Sequence, residues 1–159
     1  MAFEMVVRPS RGTSFLAGDE EFAFHVSGTS FHQQALEELC GRRTPSGVHH
    51  YTAALLTPQL SNPHDRKAVA VTIHGLEVGH LERDVAPDFL RALREGDFAD
   101  AASEALIVGG WDRGGHDWGY FDVRLNTLLP FNINSAADWH RSSNELSKAL
   151  PTFLKRPLP

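Results

Sequence analysis

The sequence predicts a mainly β domain of the α+β class: a small twisted barrel with two short inserted helices and a helical C-terminal extension. Three observations point there. The middle of the chain is a succession of short segments rich in β-branched and aromatic residues. Short turns, not regular helical crossovers, join them, which disfavours a parallel sheet. Only two segments in that middle region carry helical periodicity.

Residues 1–21 hold two short strands or coil, with Gly12 and Gly18 breaking any long element. Phe22 to Val26 alternates large apolar residues and reads as a strand. Gly28-Thr29-Ser30 turns the chain, and Ser30 is placed to N-cap a helix from Phe31 to Cys40. Ala35, Leu36, Leu39 and Cys40 form its stripe, and Gly41 stops it. Arg42 to Gly47 is a loop, and His50 to Thr57 a strand that must change direction at Pro58. In Leu60 to Asp65, Pro63 pushes Asn62 out of helical space, and Asn62 and Asp65 can accept from nearby backbone amides. Ala68 to Ile73, the turn His74-Gly75 and Glu77 to Leu81 read as a hairpin. Alternation along that last strand puts His80 on the same face as Val78.

Asp84 is placed to cap a helix running to about Arg94, with Pro87 in its first turn, Gly96 after its end and Phe89, Leu90 and Leu93 as its apolar stripe. Ala105 to Gly110 and Tyr120 to Leu125 are a strand pair. They flank the glycine-rich loop Trp111 to Gly119, whose default reading is a mobile hairpin. Pro130-Phe131 is extended, Ala136 to Leu150 a helix and Pro151 to Pro159 a tail.

At 159 residues, 42% hydrophobic and 22% charged, the chain fits one globular domain with or without a tail, and wholesale disorder is excluded. The apolar run at Ala53 to Leu56 is far short of the roughly 20 residues of a membrane helix. Met1-Ala2-Phe3-Glu4 lacks a secretory start, so a cytoplasmic location is expected. The single Cys40 excludes an internal disulfide and a Cys-only zinc site. The net charge of −5 argues against broad nonspecific grip on DNA. The deficit is local. Residues 76–100 carry three basic and seven acidic side chains, whereas Arg42, Arg66, Lys67 and Arg83 can supply a cationic patch if the fold gathers them.

The most informative stretch runs from Tyr51 to Ala86. It holds Asn62-Pro63-His64-Asp65, the strand Ala68-Val69-Ala70-Val71, then Val78-Gly79-His80-Leu81, and finally Asp84-Val85-Ala86 opening a helix. Upstream stand Val26-Ser27-Gly28 and Phe31. Together these resemble the HIRAN domain family, over roughly Phe22 to Leu125, with four separated motifs in the family's order. The resemblance implies an OB-like or SH3-like small barrel, bounded by an N-terminal extension (1–21) and a C-terminal extension with a helix (126–159). It also implies a noncatalytic module, without cofactor or metal, that captures the 3′ end of single-stranded DNA in repair or processing. Residue by residue, Phe31 becomes a stacking platform for the terminal base and Asp65 an acceptor for the 3′-hydroxyl. Asn62 holds the loop or contacts the nucleotide, and His80 and Arg83 face phosphates. His64 stands where the family has a second aromatic, and Ser30 where it has a basic residue.

Each residue also has a plainer reading. Asn62, His64 and Asp65 are turn formers, Phe31 and His80 candidates for burial, and Arg83 a solvated residue at a helix end. A second class of function is a protein-interaction domain using the Trp111 to Trp118 loop, since Trp and Arg are common interface anchors. A third is a metal-dependent hydrolase. The histidines His49, His50, His64, His74, His80 and His116 nevertheless lack His-x-x-x-His spacing.

Overall fold

A computed structural model describes residues 14–135. The helix expected over Ala136 to Leu150 and the tail after it lie outside the described residues. Eight strands form one curled sheet: β1 (Ser14–Leu16), β2 (Phe24–His25), β3 (Val48–Pro58), β4 (Val69–Ile73), β5 (Leu76–His80), β6 (Ala101–Gly109), β7 (Phe121–Leu125) and β8 (Ile133–Ser135). Its path is β2-β7-β6-β3-β4-β5, antiparallel throughout. Two helices decorate it, α1 (Gln33–Cys40) and α2 (Ala86–Gly96). The predicted mainly β fold with two helices is what the chain adopts.

The eleven-residue strand β3 makes the curl. Val48 to Leu56 pairs with β6, while Leu55 to Pro58 pairs with β4, so the two ends of one strand belong to different halves of the sheet. Leu56, Val69, Val71, Val78, Ile107, Phe121 and Leu125 fill the space inside, and Leu36 of α1 and Phe89 of α2 enter from the helices. At about 25 cal/mol per Å² of buried apolar area, such residues dominate the stability of a domain this size.

The ends of the sheet then meet. The Val26 N–H donates to Val123 O of β7 at 3.0 Å. The next residue, Ser27, exchanges both backbone hydrogen bonds with His80 at the end of β5, at 2.8 and 2.9 Å. Gly79 permits this approach: a Cβ there would stand 2.4 Å from Ser27 O and 2.6 Å from a Val26 methyl. The β4–β5 hairpin turns at His74-Gly75 as predicted, with both residues at positive φ.

Several local expectations are corrected. Ser30 caps nothing. Thr29 to Phe31 form a single 3-10 turn entered through Gly28 at φ 78°, and α1 starts only after His32. Local hydrogen bonds from His32 N–H to Thr29 O, 2.9 Å, and from Phe31 N–H to Gly28 O, 3.1 Å, outcompete the longer helix. Asp84 likewise does not cap α2, which begins after Val85 and ends at Asp97 in left-handed conformation. Strand β2 is shorter than Phe22 to Val26, because Phe22 takes a positive φ of 51°. Strand β6 starts earlier than Ala105, at Ala101, because β3 pairs along its whole length. Strands β1 and β8 lie outside the 22–125 span and join the same sheet: β1 runs parallel to β6 and antiparallel to β8.

Gln33, first residue of α1, pins the helix to the sheet. Its side-chain amide accepts from Phe121 N–H at 2.8 Å and donates to Phe121 O at 2.9 Å, replacing the strand that β2 is too short to provide there. Burial pushes the Cys40 thiol from an ordinary 9.0 up to about 11.

Three outcomes follow from this packing. Gly79→Ala should lower unfolding stability by about 2 to 3 kcal/mol in urea titration, because the added methyl forces the closing strands apart. Gly75→Ala, with open space around its Cβ, should cost about 1 kcal/mol from backbone strain alone. Cys40 should react with an aromatic disulfide reagent at pH 8 roughly a hundredfold more slowly than an exposed thiol, since its thiolate is that much scarcer.

Candidate nucleic-acid interface

The 3-10 turn delivers Phe31 to the surface. Its ring is 88% exposed, so the alternative of a core aromatic on a helix is overturned. The backbone around it is nonetheless held, by the turn itself on one side and by the Gln33–Phe121 bonds on the other. A large rigid apolar face in water on a pinned segment is suited to stacking.

Facing this segment is the outer side of β5. The alternation that placed His80 with Val78 is broken by a bulge. Ala70 pairs with His80 and Val71 with Gly79, but Thr72 pairs with Glu77, which leaves Val78 as an extra residue. Val78 goes to the core, and Glu77 and His80 both stay partly exposed on the other side. Sequence reasoning missed Glu77 for this reason. It also missed His32, which is 45 positions from Glu77 in the chain and has no spacing signal.

A continuous polar network runs from there to the loop before β4. His32 Nε2 lies 3.5 Å from one Glu77 carboxylate oxygen, and His80 Nε2 lies 3.9 Å from the other. Gln59, just past β3, donates to Glu77 at 3.2 Å, and its carbonyl oxygen is 2.9 Å from His80 Nε2. Asn62 donates its N–H to Gln59 O at 3.0 Å and its side-chain amide to Gln59 Oε1 at 3.4 Å. The Asn62 Oδ1 in turn accepts from the N–H groups of His64, 2.9 Å, and Asp65, 3.3 Å. Asp65 Oδ1 accepts from Lys67 N–H at 2.9 Å, and Asp65 Oδ2 faces Arg83 Nε at 3.9 Å.

The structure thus links Asn62, His64, Asp65, His80 and Arg83 in one network and sets Phe31 beside its His32 end. Asn62 is an organiser of the loop. His64 and Arg83 project into solvent, and Asp65 is partly covered. The Arg83–Asp65 pair is long and its guanidinium 85% exposed, so it adds little to stability and leaves the cation available to an anion. Arg66 and Lys67 are exposed on the same loop, whereas Arg42 lines a separate shallow groove with Glu37 and Glu38.

A profile of the HIRAN domain matches residues 19–109. The chain belongs to the HIRAN domain family. HIRAN domains are nucleic-acid-binding modules, and the six residues expected from the resemblance all fall within the matched span. The chain is also similar to the crystal structure of the HIRAN domain of human HLTF, at 17% identity over 88% of this chain and 95% of that one, with a TM-score of 0.36. Curated proteins give no match. No helix among the described residues is long and apolar enough to cross a membrane.

Beyond the matched span, the Trp111 to Gly119 loop of this HIRAN domain is bonded to itself. Asp112 and Trp118 form an antiparallel bridge, Trp111 Nε1 donates to Asp117 at 3.2 Å, and the Trp111 ring covers Gly119. Arg43 lies 5.2 Å from the Trp118 ring centre, and Trp118 meets Tyr120 edge-on.

Asn62→Ala should lower stability by about 0.5 to 1 kcal/mol, since water takes over the bonds to the two partly exposed loop amides. Hydrogen exchange at the His64 and Asp65 amides should accelerate while exchange in β3 stays slow.

Proposed function

We propose that this HIRAN domain is a noncatalytic module that captures the 3′ end of single-stranded DNA, in a repair or processing context. The observation that supports it best is the exposed Phe31 face on a backbone held at both ends. Stacking on such a ring contributes about 1 to 3 kcal/mol per base and tolerates any base. Asp65 accepts from the terminal 3′-hydroxyl, and its negative charge repels a terminal phosphate. Arg83 and His80 hold phosphates further in, and Asn62 keeps the loop in shape. His64, exposed beside Asp65, replaces an aromatic with a smaller ring that stacks when neutral and pairs with phosphate when protonated. The acidic balance of the chain confines attraction to this patch and makes it salt-sensitive.

A second reading has its own observation. Trp118 and Tyr120 are both about half exposed, with the Arg43 guanidinium close to the Trp118 ring. That aromatic–arginine patch fits a protein partner.

Fluorescence anisotropy with a short oligonucleotide ending in a 3′-hydroxyl or a 3′-phosphate separates the two. Capture predicts tighter binding to the hydroxyl end, loss of that preference in Asp65→Ala, and a drop of roughly five- to a hundredfold in Phe31→Ala without loss of folding. Equal affinity for both ends overturns end reading. A partner recovered by pull-down and lost in Trp118→Ala, with no DNA binding, establishes the second reading instead.

A further inference from the structure

We infer that His32, Glu77 and His80 form a binding site for one zinc-class divalent ion at the rim of the interface. Three donor atoms from two elements converge here, all within 4.8 Å of one another. The separations are informative. The two imidazole nitrogens stand 3.5 and 3.9 Å from separate oxygens of one carboxylate, too long for good hydrogen bonds. Zinc bonds of about 2.0 to 2.1 Å in a tetrahedral arrangement place neighbouring donors about 3.3 Å apart. Small side-chain rotations therefore bring the three donors to an ion.

The scaffold holds them in place before any ion arrives. Glu77 and His80 share a side of β5 only through the bulge at Val78, and His32 is held above them by its own bond to Thr29 and by Gln33. Gln59 supplies the outer support: its amide donates to Glu77 at 3.2 Å and orients the carboxylate. On binding, His80 Nε2 exchanges its hydrogen bond with Gln59 for the metal bond, and the ring coordinates as the neutral tautomer: the Nε2 proton passes to solvent while Nδ1 carries, or takes up from solvent, the one proton that remains. Two imidazoles and one carboxylate select zinc, cobalt or nickel over magnesium or calcium, which take oxygen donors. With three protein ligands and side chains one quarter to two fifths exposed, the fourth position opens to water or an anionic oxygen.

The test uses the metal alone, so it is independent of DNA binding. Titrating Co²⁺ into the purified chain should raise visible d–d absorption that saturates at one ion, and Zn²⁺ should abolish it. His32→Gln and Glu77→Gln should each weaken Zn²⁺ binding at least tenfold by calorimetry, with unchanged circular dichroism. His49→Ala/His50→Ala should leave it intact. Featureless cobalt spectra, or one-ion binding indifferent to both His32→Gln and Glu77→Gln, would overturn the site. If a variant fails to fold, Gln59→Leu provides the same readout, with an expected loss of about ten- to a hundredfold.

Discussion

Two backbone hydrogen bonds between Ser27 and His80, and the missing side chain at Gly79 that lets them form, hold the rest of the molecule in register. Val26 bonds to β7 and Ser27 to β5, so consecutive residues join the two ends of the sheet. The curl of β3 becomes a closed interior only because of that junction. It also sets the exit direction of the chain, since Gly28 turns immediately after it and places the Phe31–His32 segment over the outer side of β5. Packing of the core and assembly of the surface site therefore depend on one contact.

Around the site, orientation passes from residue to residue. Gln59 is the hub, touching Glu77, His80 and Asn62, and Asn62 sets the backbone of His64 and Asp65. Such a network is half in water, so its individual bonds are worth little and its value lies in fixing positions. Phe31 is the opposite case. Its exposure leaves about a whole aromatic side chain of apolar area in water, the flat face on which the proposed stacking rests. In the proposed end capture, affinity comes from stacking and local cations, in a chain whose overall charge is acidic.

The Trp111 to Gly119 loop has a different character. Glycines at its base bring backbone and rings together, while Gly114 and Gly115 at its tip have open space where a Cβ would stand. Gly119 lies under Trp111, and Gly110 has the Phe121 ring where its Cβ would be. Arg43 extends that packing outward to Trp118 and binds Gly119 O at 3.1 Å. Rigid aromatics presented this way are inexpensive in entropy to engage, and Arg43 ties them to the Phe31 segment through its 3.3 Å bond to Gln33 Oε1.

What the sequence by itself determined is the part of the structure governed by local rules. Period-two patterning and β-branched composition marked most strands, the His74-Gly75 turn was legible because only a few residues tolerate two positive φ values, and the Asn62 to Asp65 turn declared itself through Pro63 and Asn62. The order of motifs from Val26 to Ala86 was enough to indicate the family. Only the tertiary structure decided where the side chains of that family pattern point. Phe31 reads equally as a helix-stripe residue or a surface platform until the 3-10 turn and the Gln33 anchor are seen. His80 reads as inward until the extra residue Val78 shifts the register. His32 and Glu77 have no local signature, because their meeting is set by sheet closure between segments far apart in the chain, and contacts of that kind have no period to read.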